Sequence, residues 1–166
     1  MQRTTEDFEE FARARTPQLY RSAWLLAGEH HRAEDLVQDT LAKLYRAWRR
    51  VQHVDNLAAY AQTVLVRTYV SQRRRRSSSE QPVADLPERV ERPGDLELRL
   101  ALQQAMAELS ALDRAVLVLR FFEDRSVEQV ASDLGKNTGA IRTRTWRALE
   151  RLRAVLGDDA VQLITL

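Results

Sequence analysis

The sequence predicts an all-α fold made of two small helical domains joined by a flexible linker. Three observations lead there. Apolar residues recur at spacings of three and four along most of the chain. Its 166 residues include only 5 glycines and 4 prolines, too little punctuation for a turn-rich β protein. Three of those prolines, Pro82, Pro87 and Pro93, crowd into one stretch where no apolar period survives. A structureless run of roughly 20 residues is long for a connection inside one compact domain. It opens on Ser77-Ser78-Ser79 and is acidic, with Glu80, Asp85, Glu88, Glu91 and Asp95 against Arg89 and Arg92. The divisions are a first domain at 1–76, a linker at 77–95, a second domain at 96–157 and a tail at 158–166.

Each element has a local reason. Thr4 to Asp7 fits a capping box, and Phe8, Phe11, Ala12, Leu19, Trp24 and Leu25 follow at helical spacing. Pro17 marks a kink in that helix and Gly28 its end. A second helix begins near Arg32 and carries Ala33, Leu36, Val37, Leu41, Leu44, Trp48 and Val51. Asp55 or Asn56 suits the N-cap of a third, from Leu57 to about Arg76, which ends in four consecutive arginines. In the second domain, Leu98, Leu102, Ala105, Met106 and Leu109 form a stripe, and Ser110 or Asp113 caps the next helix. Ala115–Phe122 has the composition of a buried strand, but no partner strand is visible, so it reads as a buried helix. A short helix Val127–Leu134, a turn at Gly135 and a last helix from about Thr138 to Val155 complete the domain.

Composition removes several function classes. Without cysteine there is no disulfide scaffold, thiolate zinc site or cysteine nucleophile. No run of 18 apolar residues occurs, so no membrane insertion is expected. The N-terminus is polar and acidic with no signal segment, which predicts a cytoplasmic protein. There is no Gly-rich phosphate loop, and histidines at 30, 31 and 53 alone support no nucleophilic triad. The sequence therefore predicts a binding protein, not an enzyme, with no catalytic residue, no cofactor and no metal. The net charge is only +2, yet 24 of the 26 basic residues are arginine, whose planar fork of donors suits phosphates and guanine edges.

Three segments carry the function. Ser126–Arg142 has the grammar of a helix-turn-helix: Ser126 as cap, Val127, Val130, Ala131 and Leu134 inward, small Ala131 for a close crossing, and Gly135 for the turn. From Lys136 to Arg153 stand six basic residues against Glu150 alone, a net +5. Thr138, Gly139, Arg142, Thr143, Trp146 and Arg147 face a major groove. On the second helix, Glu34, Asp35, Gln38 and Asp39 lie opposite the apolar stripe and form a protein-binding face. Acid–base catalysis by these carboxylates, or a metal site with His30 and His31, lacks the ExxH and HExxH spacings. Third, Val51–Arg76 combines an Asn-containing loop with Tyr60, Arg67, Tyr69 and the arginine run, a pattern suited to single-stranded nucleic acid. The competing reading places both tyrosines in the core.

On these residues the chain resembles the extracytoplasmic-function (ECF) sigma factors of the sigma-seventy superfamily, and within them the SigE-like branch. Ala33-Glu34-Asp35-Leu36-Val37-Gln38-Asp39-Thr40 resembles a segment of region two, Asn56–Arg76 its promoter-melting helix, and Ser126–Arg153 the helix-turn-helix of region four. The resemblance implies a factor that directs core RNA polymerase to promoters and helps to melt them. It implies that Asp35, Gln38 and Asp39 meet the β′ clamp helices, with the β flap as a second polymerase contact. It implies that His53, Val54, Asp55 and Asn56 take a flipped base of the minus-ten element, with Tyr60 and Arg67 on the melted strand. Arg142, Thr143, Trp146 and Arg147 would read the minus-thirty-five element in duplex DNA, with Lys136 on phosphate, Thr138 beside them, and Arg144 structural or on phosphate. Family members often carry Asn where Arg67 stands, and often have an anti-sigma factor. An ordinary helix-turn-helix regulator is the alternative, but it has no need of Ala33–Thr40.

Overall fold

A computed structural model describes residues 4–77 and 93–157. The expectations for linker residues 78–92 and for the tail 158–166 lie outside the described residues. Seven α-helices form the described chain, and capping residues set most of their ends. α1 (Thr5–Ala27) starts at Thr4, whose hydroxyl accepts from the Asp7 N–H while the Asp7 carboxylate accepts from the Thr4 N–H. It runs through Pro17 and stops at Gly28, whose φ of 76° is the left-handed conformation that glycine takes without steric cost. α2 (His30–Ala47) begins two residues before the expected Arg32, because the Glu29 side chain caps it by accepting from the His31 N–H. A 3-10 turn (Arg50–His53) leads to α3 (Leu57–Ser77), where the Asn56 side chain accepts from the Ala59 N–H.

α4 (Pro93–Ala107) starts three residues inside the stretch read as linker, and a proline lacking an N–H suits a first helical turn. α5 (Ala111–Leu117) is capped by Ser110 and runs into a five-residue π-helical turn (Val118–Phe122), so the apolar run is helical as expected. Ala115 through Leu119 are all buried. α6 (Val127–Leu134) has a capping box of Ser126 and Gln129, and α7 (Thr138–Leu156) is capped by Asn137.

α1, α2 and α3 pack as one bundle around Leu19, Leu26, Leu36, Leu44, Leu65 and Val66. Trp48 pins its end: Nε1–H donates to the Thr4 carbonyl at 2.8 Å, and Phe8 meets the Trp48 ring edge-on at 5.2 Å. In the second domain α4, α5 and α6 pack on α7 around Met106, Leu117, Leu119, Ile141 and Leu152, with Leu102, Ala105 and Leu109 of the predicted stripe buried. The side chain of Leu98 lies outside the described residues. The two domains are docked on each other, and their buried residues form one continuous cluster. α5 and α6 rest on α3, and α5 with the π turn rests on α1.

Two buried ionic groups sit in that contact. Arg114, 7% exposed, donates from Nε to the Leu109 carbonyl at 3.2 Å and from Nη2 to Ala107 at 2.8 Å. Its Nη1 donates to the Leu26 carbonyl at 2.9 Å and the Tyr69 hydroxyl at 3.3 Å. Burial lowers the Arg114 pKa and raises that of Tyr69. Glu123, beside the π turn, lies against Gln18 and Ser22 of α1, and burial pushes its carboxyl up, opposed by Arg125 and by those two hydrogen bonds.

A carboxyl raised on folding leaves the folded state holding more protons, so its contribution is complete at low pH and is lost as pH rises from 4.5 through the raised value. Glu123→Gln removes that loss. Thermal melts from pH 4 to 8 should show a higher midpoint than the parent at pH 8 and a flatter difference between pH values; parallel curves would count against the assignment.

Candidate nucleic-acid interface

The second domain presents its helix-turn-helix as the sequence pattern predicts. Val130, Ala131 and Ile141 are buried in the crossing of α6 and α7, while Val127 and Leu134 are half-buried. Gly135 turns the chain at φ 63°. On the outer side of α7, Gly139, Arg142, Thr143, Trp146 and Arg147 are exposed, as is Lys136 before it, while Thr138 is half-buried. Trp146 is 65% exposed, far more than an indole without a partner surface usually is. The Arg142 guanidinium lies 3.6 Å from Glu128 on α6, both widely exposed, a weak pair that a phosphate or base edge can displace. Arg144 differs: it donates to Asp113 at 2.9 Å and ties α7 to α5.

On α2, Asp35, Gln38 and Asp39 form an exposed polar row over the buried Leu36, Val37 and Thr40. The Asp39 carboxylate accepts from Gln72 Nε2 at 2.5 Å, which orients one end of the row. Glu34 pairs with His30 Nε2 at 2.9 Å, and His30 Nδ1 lies 2.5 Å from the Tyr20 hydroxyl. That chain fastens the corner between α1 and α2, and both histidines stand in the first turn of α2.

Along the third segment, His53, Asp55 and Asn56 are exposed and Val54 is half-buried, with Asn56 also serving as the α3 cap. Tyr60 is half-buried against the core. Tyr69 is 3% exposed and bonded to Arg114, so it is a core residue and no platform for bases. Arg67 is exposed, but its Nε donates to the Asp133 carbonyl at 2.6 Å, in the last turn of α6. This cross-domain bond has no signature in the sequence. Nor do the buried arginines 114 and 125, whose only sequence signal is a charge beside an apolar run.

The fold and its surfaces define a helical transcription protein with a duplex-reading helix on one domain and an acidic protein-binding row on the other. The chain matches the "Sigma-70 region 2" family over residues 11–79 and the "Sigma-70, region 4" family over residues 105–154. It is 34% identical over 155 residues to an RNA polymerase sigma-E factor of Streptomyces coelicolor, covering 90% of this chain and 86% of that one. It is 32% identical over 156 residues to the ECF RNA polymerase sigma factor SigL of Mycobacterium tuberculosis, with 86% and 85% covered. Among solved structures it resembles the sigma factor RpoE of Bartonella quintana in complex with the anti-sigma factor NepR, with a TM-score of 0.72, 31% identity, and 93% and 99% of the two chains covered. The chain belongs to the ECF sigma factors of the sigma-70 superfamily, in the SigE-like branch: it is an RNA polymerase sigma factor for promoter-directed initiation. No described helix is long and apolar enough to cross a membrane.

Gly135 sets the angle between α6 and α7, and a Cβ there would meet nothing within 4 Å. Gly135→Ala therefore costs only backbone strain, about 1 kcal/mol; urea unfolding should show that loss, and a gain in stability would contradict the left-handed turn.

Proposed function

We propose the following division of labour. Residues 1–76 bind core polymerase and handle the minus-ten element; residues 96–157 read the minus-thirty-five element. Asp35, Gln38 and Asp39 dock on the β′ clamp helices, and the second domain meets the β flap. His53, Val54, Asp55 and Asn56 receive an extruded base, and Tyr60 and Arg67 follow the melted strand. Extruding a base costs a few kcal/mol, which pocket contacts and stacking offset. Arg142, Thr143, Trp146 and Arg147 read base edges, while Lys136 and Thr138 sit at the groove margin, where phosphate contact gives salt-dependent affinity without sequence information. The protein acts in the cytoplasm, is not itself an enzyme, and needs no cofactor or metal. The relative from Bartonella quintana was solved with an anti-sigma factor, and an anti-sigma factor is a proposed partner here too.

One observation carries this reading: a single chain exposes an acidic row on α2 and a cationic, tryptophan-bearing face on α7. A simple helix-turn-helix regulator needs only the second. Run-off transcription with core polymerase over a genomic promoter library tests the whole, and promoter-specific transcripts that depend on this protein are the expected result.

Two substitutions test the parts. Arg142→Ala should cost about 1–3 kcal/mol at the cognate upstream element and relax preference at one position; equal weakening on every sequence would argue for a phosphate contact instead. Asp39→Arg should abolish co-purification with core polymerase while circular dichroism stays unchanged. If the variant still co-purifies, the α2 row is not the docking face.

A further inference from the structure

We propose that the free chain closes on itself, with the helix-turn-helix domain seated on the strand-contacting row of α3 and Arg125 as the latch. The inhibitory meaning of this closure rests on the assignment of α3 to the melted strand. The row is Ala59, Thr63, Arg67, Val70 and Arg74, which recur every three or four residues on one side of α3.

Arg125 is aimed at this row by its backbone. Asp124 before it has φ 53°, a left-handed conformation that aspartate tolerates better than most residues. The Arg125 N–H donates to Leu119 at 3.0 Å and its carbonyl accepts from Arg120 Nη1 at 2.6 Å, so the main chain is held on both sides. The side chain, 9% exposed, crosses the domain boundary. Nη2 donates to the Ala59 carbonyl at 2.7 Å and Nη1 to the Thr63 hydroxyl at 2.6 Å. Nη1 also meets Asp133 at 2.7 Å, so the charge arrives already neutralised by its own domain. Asp133 in turn offers its carbonyl to Arg67, which returns the contact from α3.

The contact has the character of one that opens. Its directional bonds are polar, and the groups that make them can be hydrated when the domains part. Packing is incomplete beside the latch, where a cleft of about 360 Å³ lies between Arg67, Val70 and Arg74 of α3 and Leu112, Leu134 and Gly135 of the second domain.

Geometry makes the closed form unable to use a promoter. Asp133 touches Arg67, and the recognition helix begins five residues later, at Thr138. The minus-ten and minus-thirty-five elements lie roughly 25 base pairs apart, about 85 Å of duplex at about 3.4 Å per pair. One chain cannot contact both while its domains touch. Asp35, Gln38 and Asp39 stay exposed in the closed form, so polymerase can engage first and the domains part afterwards. An open fraction of about 1% would weaken promoter binding by the free protein about a hundredfold, through the population of the competent state alone.

Small-angle X-ray scattering on the full chain tests closure. A closed chain of this length has a radius of gyration near 15 Å plus the contribution of its linker and tail. Arg125→Ala should raise the parent's value by several ångströms with helical content unchanged. Thr63→Val, which keeps the shape of α3 and removes one acceptor, should raise it too and covers the case in which Arg125→Ala fails to fold. A parent already as extended as the variants, or folded variants as compact as the parent, would overturn the latch. Run-off transcription at limiting sigma factor then reads inhibition: Arg125→Ala should raise the yield severalfold, and an opened variant with unchanged yield removes the inhibitory role. Scattering needs neither promoter nor polymerase, so a chain that opens on cue but supports no run-off in any form would sink the assignment of α3 and leave the latch standing.

Discussion

A buried arginine guanidinium that serves backbone carbonyls holds the described structure together. Arg114 is placed where α1 and α4 both end and where α3 passes. Helix C-termini leave carbonyls without partners and carry partial negative charge. Arg114 supplies donors to both ends at once and closes the arrangement on the Tyr69 hydroxyl. None of its bonds is to a carboxylate, so the charge is balanced by dipoles instead of an ion pair. This explains how a cation can sit in the contact between two domains whose apolar residues form a single cluster.

Around that anchor the charges are sorted by surface. The net +2 is a near-cancellation, not neutrality. Acidic residues gather on α2, and cationic ones on α7 and at the end of α3. Arginine serves both roles: Arg142 and Arg147 remain exposed for a ligand, while Arg114, Arg125 and Arg144 are committed to holding helices. Identical side chains therefore divide into binding and structural groups according to whether a carbonyl or carboxylate of the fold reaches them first.

The docking of the two domains follows a different logic from the core of each. Within the domains, aliphatic side chains interlock and no polar bond is needed. Between them, Arg125, Thr63, Arg67 and Asp133 supply direction. α3 is the element both sides share, and it explains its own weak periodicity. Ala61, Leu65 and Val66 bury into its bundle, while Thr63 is buried beneath Arg125 from the other domain. A helix covered on more than one side shows no single apolar face.

Most of the fold was legible in the sequence because its signals are local. Caps at Thr4, Ser110 and Ser126, the stop at Gly28, the Gly135 turn and the apolar stripes of α2 and α4 depend on neighbours within one or two turns. The outward set on α7 and the polar row on α2 follow from the same periodicity. The buried Tyr69, the start of α4 at Pro93, the engagement of Arg67 and the placing of Arg114 and Arg125 were not legible. Tyr69 and Arg67 sit on a helix whose partners lie tens of residues away, and a side chain's partner at that distance leaves no periodic trace. The sequence by itself determined the all-α class, the helix-turn-helix and the charged faces, since spacing and capping decide them. Only the tertiary structure decided which arginines are free to bind and that the two domains meet, because both depend on carbonyls and hydroxyls brought together by folding.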